Sequence, residues 1–354
     1  MTDASFVKKR RVRYSGTHPR RFEEKYKELN PQIYSAEVQK VMERGQTPAG
    51  MHRPILVREV LDALAPKPGM VGLDATLGFG GHAQELLKLI LPGGRLIGID
   101  VDPLELPRTE ARLRGLGFSE DVLFVRRMNF AGLPQLLPVA GGAFDFVLAD
   151  LGVSSMQLDN PARGFSFKTD APLDLRLNPS RGQPASALLK SITEEDLSEL
   201  LITNADEPHA RAIAKAIFEN RQRIDTTTQL RERVSLALRH LPEHTLHEET
   251  KKSLQRTFQA LRIAVNDELN VLDQFLNLLP ACLKEDGRVA ILTFHSGEDR
   301  RVKKSFLEGY RSGIYSQIAR EPVRSSAEER RANPRSACAK LRWAVKGRSR
   351  KEIS

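Results

Sequence analysis

Short apolar runs that end on an acid alternate with amphipathic segments between residues 71 and 150. The segments between the runs carry apolar residues at helical spacing. Alternating strands and helices are typical of a parallel sheet covered on both faces. The pattern therefore predicts an α/β, doubly wound sheet. Its first four strands are predicted at Val71–Thr76, Arg95–Asp100, Val122–Arg126 and Phe144–Asp150.

The alternation stops after the fourth strand, where a long polar loop from Leu151 leads into helical patterns. A long helix from Arg256, a strand over Arg288–His295 and an edge strand over Leu341–Val345 then complete the sheet. An insertion at the carboxyl ends of the strands would form one wall of a substrate cleft. We predict four parts: a basic N-terminal extension (1–50), the first part of the sheet domain (51–158), an inserted helical subdomain (159–252), and the second part with a basic C-terminal tail (253–354).

A glycine-rich turn follows the first predicted strand. It contains Gly78, Gly80 and Gly81 and opens a helical pattern. Such a turn lets a ligand approach the backbone, and the first N–H groups of the helix then face that ligand. Asp100 ends the second strand 22 positions after Gly78, where an acid binds ribose hydroxyls. The turn alone is a weak signal, but the turn and the acid together predict a nucleotide-type cofactor.

Two cofactor classes fit this geometry, dinucleotides such as NAD and S-adenosylmethionine. Asp74, at the tip of the first strand, would repel a pyrophosphate but suits a cationic sulfonium that also carries an ammonium group. Asp150 ends the fourth strand and adds a third acid. The acids favour S-adenosylmethionine, and an NAD-dependent dehydrogenase is the rival enzyme. Phe130 falls where an adenine ring is often bordered, although it suits the core equally well.

Composition is that of a globular protein, with 354 residues of which 40% are hydrophobic. No apolar run nears the roughly 20 residues that span a bilayer, and Met1–Arg13 lacks the apolar core of a signal peptide. We therefore expect a cytoplasmic protein with no membrane contact. Cys282 and Cys338 form no C-x-x-C pair and indicate neither a disulfide framework nor a metal site.

The net charge of +10 is concentrated at the two ends of the chain. Residues 1–53 hold 12 Lys and Arg against 6 Asp and Glu, and residues 300–354 hold 16 against 5. Basic ends around an acidic centre indicate nucleic-acid contact, although solvated tails would give the same pattern. Beside a methyl-donor site, RNA or DNA is the leading substrate class.

Several motifs of the chain fall in one order over about residues 52–346: Asp74–His82, Asp150–Asp159, Arg163–Phe167, Arg256–Ile263, Phe294–Ser296 with Glu298–Arg300, and Asn333–Arg335. In sequence and order they resemble the motifs of the bacterial RsmH (MraW) methyltransferases. The resemblance implies a class I S-adenosylmethionine-dependent methyltransferase fold with a helical insertion. It also implies methylation of the exocyclic N4 of a cytosine in the decoding region of 16S rRNA, in the small ribosomal subunit.

Carried over by resemblance, the family's cofactor contacts fall on seven residues of this chain. His82 and Gln157 come from the resemblance alone, whereas the others also follow from the residue pattern. Phe79, Gly297, Ala337 and the N-terminal extension depart from the family's usual residues. These departures leave open a paralogue that methylates another RNA or DNA cytosine. The seven contacts are Gly80, Gly81, His82, Asp100, Phe130, Asp150 and Gln157.

The reaction needs an aligned amine and a route for its proton. We hypothesise that Asp150 or a nearby backbone carbonyl orients the amine, with His295 as a second polar contact. Phe165 or Phe167, beside Arg163, would stack on a flipped cytosine; alternatively, the phenylalanines pin the loop to the core. A non-enzyme alternative is an RNA-binding assembly factor with a vestigial cofactor pocket. The sequence leaves open whether the protein is a monomer or a dimer.

Overall fold

The computed structural model describes residues 54–348 of the chain. The predicted N-terminal extension and the last six residues lie outside the described residues. Within the described range, no helix is both long enough and apolar enough to cross a membrane.

In the described part of the chain, seven strands form one sheet in the order β3-β2-β1-β4-β5-β7-β6. Strands β1 to β5 run parallel, and the order reverses between β1 and β4. β7 runs antiparallel to both of its neighbours. The predicted doubly wound sheet is therefore confirmed. The strands are β1 (Val71–Asp74), β2 (Arg95–Asp100), β3 (Leu123–Arg127), β4 (Phe144–Asp150), β5 (Leu283–Thr293), β6 (Tyr315–Ile318) and β7 (Lys340–Lys346).

Helices cover both faces of this sheet because successive strand residues point to opposite sides. In β4, Phe146 and Leu148 belong to the hydrophobic cluster of α1, α2 and α3, whereas Val147 belongs to that of α11 and α12. A continuous apolar run is what a strand buried on both faces requires. The helices around the sheet are α1 (Val57–Leu64), α2 (Gly81–Ile90), α3 (Glu105–Gly115), α4 (Leu137–Ala140), α11 (Glu268–Cys282), α12 (Ser296–Arg311) and α13 (Ala327–Ala332).

Six further helices lie between β4 and α11. They share a hydrophobic core of their own that includes Leu201, Ile213, Leu230 and Phe258. This core involves the region predicted as an insertion, but the proposed division into domains remains a prediction. The helices are α5 (Ser155–Asp159), α6 (Ala185–Ser191), α7 (Glu194–Ala205), α8 (Ala210–Phe218), α9 (Thr227–Ala237) and α10 (Glu243–Asn266).

The long helix predicted from Arg256 is in fact two helices. α10 begins earlier, at Glu243, and ends at Asn266, and the next residue, Asp267, adopts a left-handed conformation with φ 54°. α11 then starts at Glu268. A left-handed residue breaks the chain direction without interrupting the apolar spacing, so periodicity alone did not show the break.

Two strand predictions need correction at the far edge of the sheet. β7 was predicted as the edge strand, but it lies between β5 and β6. β6 itself falls in a segment whose sequence looked irregular, because only Tyr315 and Ile318 of its four residues are removed from solvent. The predicted strand over Arg288–His295 begins earlier, at Leu283, and ends at Thr293. His295 is instead the residue that caps α12.

A candidate cofactor site at the carboxyl ends of the parallel strands

The glycine turn joins β1 to α2, and residues with a Cβ atom are disfavoured at two of its positions. Gly80 caps α2 in a left-handed conformation with φ 75°. At Gly81 the constraint is packing instead, because an added Cβ would lie 2.4 Å from Cγ of Pro54. The turn therefore needs glycine for its own backbone and packing, and it leaves the first N–H groups of α2 directed outward.

Asp100 ties the tip of β2 to this turn. Its Oδ2 accepts a hydrogen bond from the Gly78 amide at 2.8 Å, and its Oδ1 accepts one from the Asp102 amide at 2.9 Å. Burial raises the pKa of Asp100, while these two amides act in the opposite direction. Each carboxylate oxygen keeps a second lone pair, so the group can still accept hydrogen bonds from a ligand's hydroxyls.

Asp74 and Asp150 end neighbouring strands and lie on the two sides of Thr76. The Thr76 amide donates to Asp74 Oδ1 at 3.1 Å, and the Asp150 amide donates to Thr76 Oγ1 at 2.6 Å. Burial raises the pKa of Asp74 to about 7. It raises the pKa of Asp150 to about 8, and the charges of Asp74 and Glu298 add to that shift. A site that penalises carboxylate charge in this way is suited to a cationic ligand.

His82, in the first turn of α2, faces the same acids. Its Nε2 lies 3.6 Å from Asp150 Oδ2, and its side chain is 7% exposed. Burial lowers the pKa of His82 to about 4, so the ring is neutral at pH 7. Neither His82 Nε2 nor Asp150 Oδ1 has a hydrogen-bond partner among the described residues. Buried polar atoms without partners are rare in folded proteins, and these two fit a ligand with polar groups.

A family model decides the class of protein. The model of the MraW methylase family matches residues 49–347, which is most of the chain. The chain belongs to the MraW methylase family. The predicted recognition is thereby confirmed, and so is the prediction of a methyltransferase that uses S-adenosylmethionine.

Curated relatives of this family member fall into two groups by the length that they share with it. "Ribosomal RNA small subunit methyltransferase H 2" of Alkaliphilus metalliredigens is 55% identical over 96% of this chain and 98% of its own length. "Ribosomal RNA small subunit methyltransferase H" of Acidobacterium capsulatum is 38% identical over 83% of this chain and 98% of its own. Among solved structures, a SAM-dependent methyltransferase of Aquifex aeolicus aligns with 12% identity and a TM-score of 0.37, over 87% of this chain and 97% of that one.

Phe130 and Gln157, two of the residues carried over from the family, are both held by contacts within the protein. Phe130 is partly buried with its ring edge against Phe275, at 5.1 Å between ring centroids. Gln157 is held by the protein at both ends of its amide. Its Oε1 accepts from the Ser154 amide at 2.9 Å, and its Nε2 donates to Asp102 Oδ2 at 2.7 Å. Whether either residue touches the cofactor remains a prediction.

Asp102 is the residue of this site that the sequence reasoning missed. Its Oδ1 caps α3 by accepting from the amides of Leu104 at 2.8 Å and Glu105 at 3.2 Å. Its Oδ2 accepts from Gln157 and also from Arg163 Nη1 at 2.7 Å. An acid followed three residues later by Glu105 is the usual signature of a helix start, and that signal was present in the sequence. The partnership with Arg163 was not.

The residues predicted to contact the RNA base, Arg163, Phe165 and Phe167, make their contacts within the protein. Arg163 is 4% exposed, and its Nη2 donates to the carbonyls of Arg176 and Leu177. Phe165 is 6% exposed, and Phe167 packs edge-on against Phe258 at 5.5 Å. These contacts favour the alternative in which the phenylalanines fasten the loop to the core. Stacking on a cytosine remains a prediction.

His295 is likewise committed to local structure. It caps α12, with Nδ1 accepting from the Glu298 amide at 3.4 Å and Nε2 3.2 Å from Glu298 Oε1. Glu298 also accepts from the Phe294 amide at 2.8 Å. The pair fixes the start of α12 beside Asp150, and a contact between His295 and substrate remains a prediction. Within residues 54–348, no group of three or more His, Cys, Asp or Glu side chains could hold a metal ion.

Proposed function

We propose that the protein transfers the methyl group of S-adenosylmethionine to the exocyclic N4 of a cytosine in the decoding region of 16S rRNA. Family membership and the names of the curated relatives support the reaction class and the substrate. The observation that carries the proposal is the pair of unpartnered polar atoms, Asp150 Oδ1 and His82 Nε2, beside the acids that end β1 and β2. We further propose that the protein works in the cytoplasm on the small ribosomal subunit.

Different residues of the site suit different parts of the cofactor. The outward amides of α2 and the ring of Phe130 would hold the nucleoside part, with Asp100 accepting from ribose hydroxyls. Asp74 and Asp150 complement positive charge on the methionine part. S-adenosylmethionine, when bound, supplies an electrophilic methyl group. The protein then has to place the amine in line with that methyl group and exclude water.

Asp150 is the candidate that orients the amine. It ends β4 next to His82, and its side chain is 30% exposed. A substrate can therefore reach it, in contrast to Asp74, which is 2% exposed. A carboxylate at this position accepts a hydrogen bond from the amine, which aligns the nitrogen lone pair with the methyl group. His82 is neutral at pH 7. It therefore forms no ion pair with Asp150, and the Asp150 side chain stays available to the amine.

A second candidate function is methylation of a different cytosine by a paralogue. The observation in its favour is that the relatives differ in how much of this chain they align with. The alignment with the Alkaliphilus protein leaves out 4% of this chain, which is less than the 50-residue extension, whereas the alignment with the Acidobacterium protein leaves out 17%. The alignment with the Alkaliphilus protein thus includes most of the extension, which is a feature that the two chains share.

The test is methyl transfer from radiolabelled S-adenosylmethionine to small ribosomal subunits from cells that lack this gene, followed by nucleoside analysis. We expect label in N4-methylcytidine within the decoding region. Cofactor binding without label at that position would contradict the proposal. Label in another cytosine of total RNA would support the paralogue.

A further inference from the structure

A pocket lies between the second half of α12 and β6, away from the cofactor site. Its volume is about 260 Å³, and its floor is formed by Phe306, Leu307 and Ile318. Phe306 is fixed from below by Tyr315, at 5.5 Å between ring centroids. The α12 residues that line it begin at Lys303, 8 residues after the cap at His295, and reach Tyr310, 15 residues after it, which is about 12 to 22 Å along a helix. The pocket is therefore separate from the strand ends that carry Asp74, Asp100 and Asp150.

The rim of this pocket is cationic. Lys303, Arg311 and Arg320 line it, and all three residues are exposed. Their side chains make no ion pair or hydrogen bond with other described residues. Arg342 also lines the pocket, but it is 4% exposed and its Nε donates to Asp299 Oδ1 at 2.6 Å. No acidic residue is in the lining, so three positive charges there lack a counter-charge from the described part of the chain.

Tyr310 adds an aromatic surface between these cations. It lines the pocket and is 42% exposed, so its ring is accessible to a ligand. Proteins that hold single-stranded nucleic acid combine aromatic stacking surfaces with cations that follow the phosphates. An apolar floor, an exposed ring and three free cations form that combination. An acidic protein surface would use the cations but has no need for the ring and the floor.

We propose that this pocket seats an unstacked base of single-stranded RNA, with Lys303, Arg311 and Arg320 on the flanking phosphates. The proposal rests on the proposed function, because it takes the RNA to be the substrate and the pocket to be a second contact outside the catalytic site. A contact on the second half of α12, outside the catalytic site, would hold the substrate RNA in register while a single base enters the site.

The first experiment replaces the three cations together with alanine and measures binding of 16S rRNA transcribed in vitro at several salt concentrations. Each lost phosphate contact lowers the slope of log affinity against log salt by about 1. We expect the slope to fall by about 2 to 3, and Tyr310→Ala to weaken binding about tenfold. The matched control replaces three ion-paired surface cations, Arg58, Lys190 and Lys304, with alanine. Its slope should stay closer to that of the unaltered protein.

Neighbouring lysines give a sharper comparison. Lys303 lines the pocket, whereas Lys304 lies 3.9 Å from Glu308 and is 77% exposed. Lys303→Ala should therefore weaken RNA binding more than Lys304→Ala. Equal effects, or no change in the triple variant, would overturn the pocket assignment. A self-association that the triple variant abolishes, with RNA affinity unchanged, would also overturn it, in favour of a second copy as the occupant.

Ultraviolet crosslinking of the unaltered protein to the same transcript does not depend on how the variants fold. We expect crosslinked nucleotides on peptides between residues 303 and 320, and their absence would count against the pocket. Methylation separates the two proposals. If the triple variant binds RNA normally while the unaltered protein methylates N4, the pocket proposal fails alone. If RNA binding depends on the pocket but no cytosine is methylated, the proposed function fails alone.

Discussion

Arg163 reaches Asp102 across 61 positions of sequence, with Nη1 2.7 Å from Oδ2. The two side chains are 5% and 1% exposed, and Gln157 donates to the same oxygen. Asp102 also donates its amide to Asp100. The ion pair therefore fastens the loop after β4 to the tip of β2, where the cofactor's ribose is proposed to bind. We infer that Arg163 and Asp102 act on the site by positioning Asp100.

Breaking this pair should destabilise the protein. Arg163→Leu leaves the buried Asp102 charge without a cationic partner, and removing one partner of a buried pair costs about 3–5 kcal/mol. The two backbone amides on Oδ1 and the Gln157 amide on Oδ2 still donate to it. Urea unfolding measures the change. The control is Arg58→Leu, because Arg58 is 90% exposed and surface changes usually stay within about 0.5 kcal/mol. If both variants unfold at the same urea concentration, the pair does not hold the loop. A positioning role further requires a raised Kd for S-adenosylmethionine at temperatures where Arg163→Leu is fully folded.

Asp74→Asn should stabilise the ligand-free protein and weaken cofactor binding. The folded-state pKa of Asp74 is raised to about 7 from 3.8, so its contribution to stability is fully present below pH 3.8 and is lost as pH rises to about 7. Asparagine carries no charge to bury. The variant's advantage in free energy of unfolding should therefore grow between pH 4 and 7, to at most about 4 kcal/mol, and then level off.

Thermal unfolding of both proteins from pH 4.5 to 8 measures this difference, and calorimetry measures S-adenosylmethionine binding. Asp145→Asn is the control, because Asp145 accepts from the Val71 amide at the opposite end of β4. A Tm difference between the two proteins that does not change with pH would contradict the raised pKa of Asp74 in the folded protein. Unchanged affinity for the cofactor would remove Asp74 from the proposed binding site.

The parts predicted from sequence are those in which local pattern and chemistry coincide. β2 and β4 were predicted with their observed ends, because each is a largely apolar run that stops at an acid. Asp100 and Asp150 were chosen for the same reason. β6 was missed because two buried residues in four give no usable period. The Arg163–Asp102 pair was missed because a contact across 61 positions leaves no trace in spacing. The two carbonyls that accept from Arg163 Nη2 are placed by the path of the loop.

Binding of S-adenosylmethionine should release protons near pH 7. The pKa of Asp150 is about 8 and that of Asp74 about 7 in the ligand-free protein, so both carboxyl groups are substantially protonated at pH 7. A cation beside them lowers both pKa values, and the protons leave as the ligand binds. Affinity should therefore rise with pH from 6 to 8.

Calorimetry in buffers with different ionisation enthalpies counts the protons released. S-adenosylhomocysteine is the matched ligand, because it lacks the sulfonium charge and should release fewer protons. Equal proton release for the two ligands would show that the acids do not respond to the sulfonium. An affinity that falls as pH rises would contradict the proposed charge complementarity altogether.

Asp150→Asn should reduce methyl transfer while leaving the fold intact. The amide keeps the size of the side chain but loses the negative charge that holds the amine, and loss of a positioned polar catalyst costs about 10²- to 10⁴-fold in rate. The backbone bond from Asp150 to Thr76 Oγ1 does not involve the side chain, so the strand end should keep its place. Single-turnover methylation with saturating S-adenosylmethionine isolates this step from cofactor binding.

Asp145→Asn again serves as the control on the same strand, and it should retain most of its rate if its bond to Val71 survives. An Asp150→Asn enzyme that methylates at the unaltered rate would exclude Asp150 from orienting the amine and leave a backbone carbonyl after β4 as the remaining candidate.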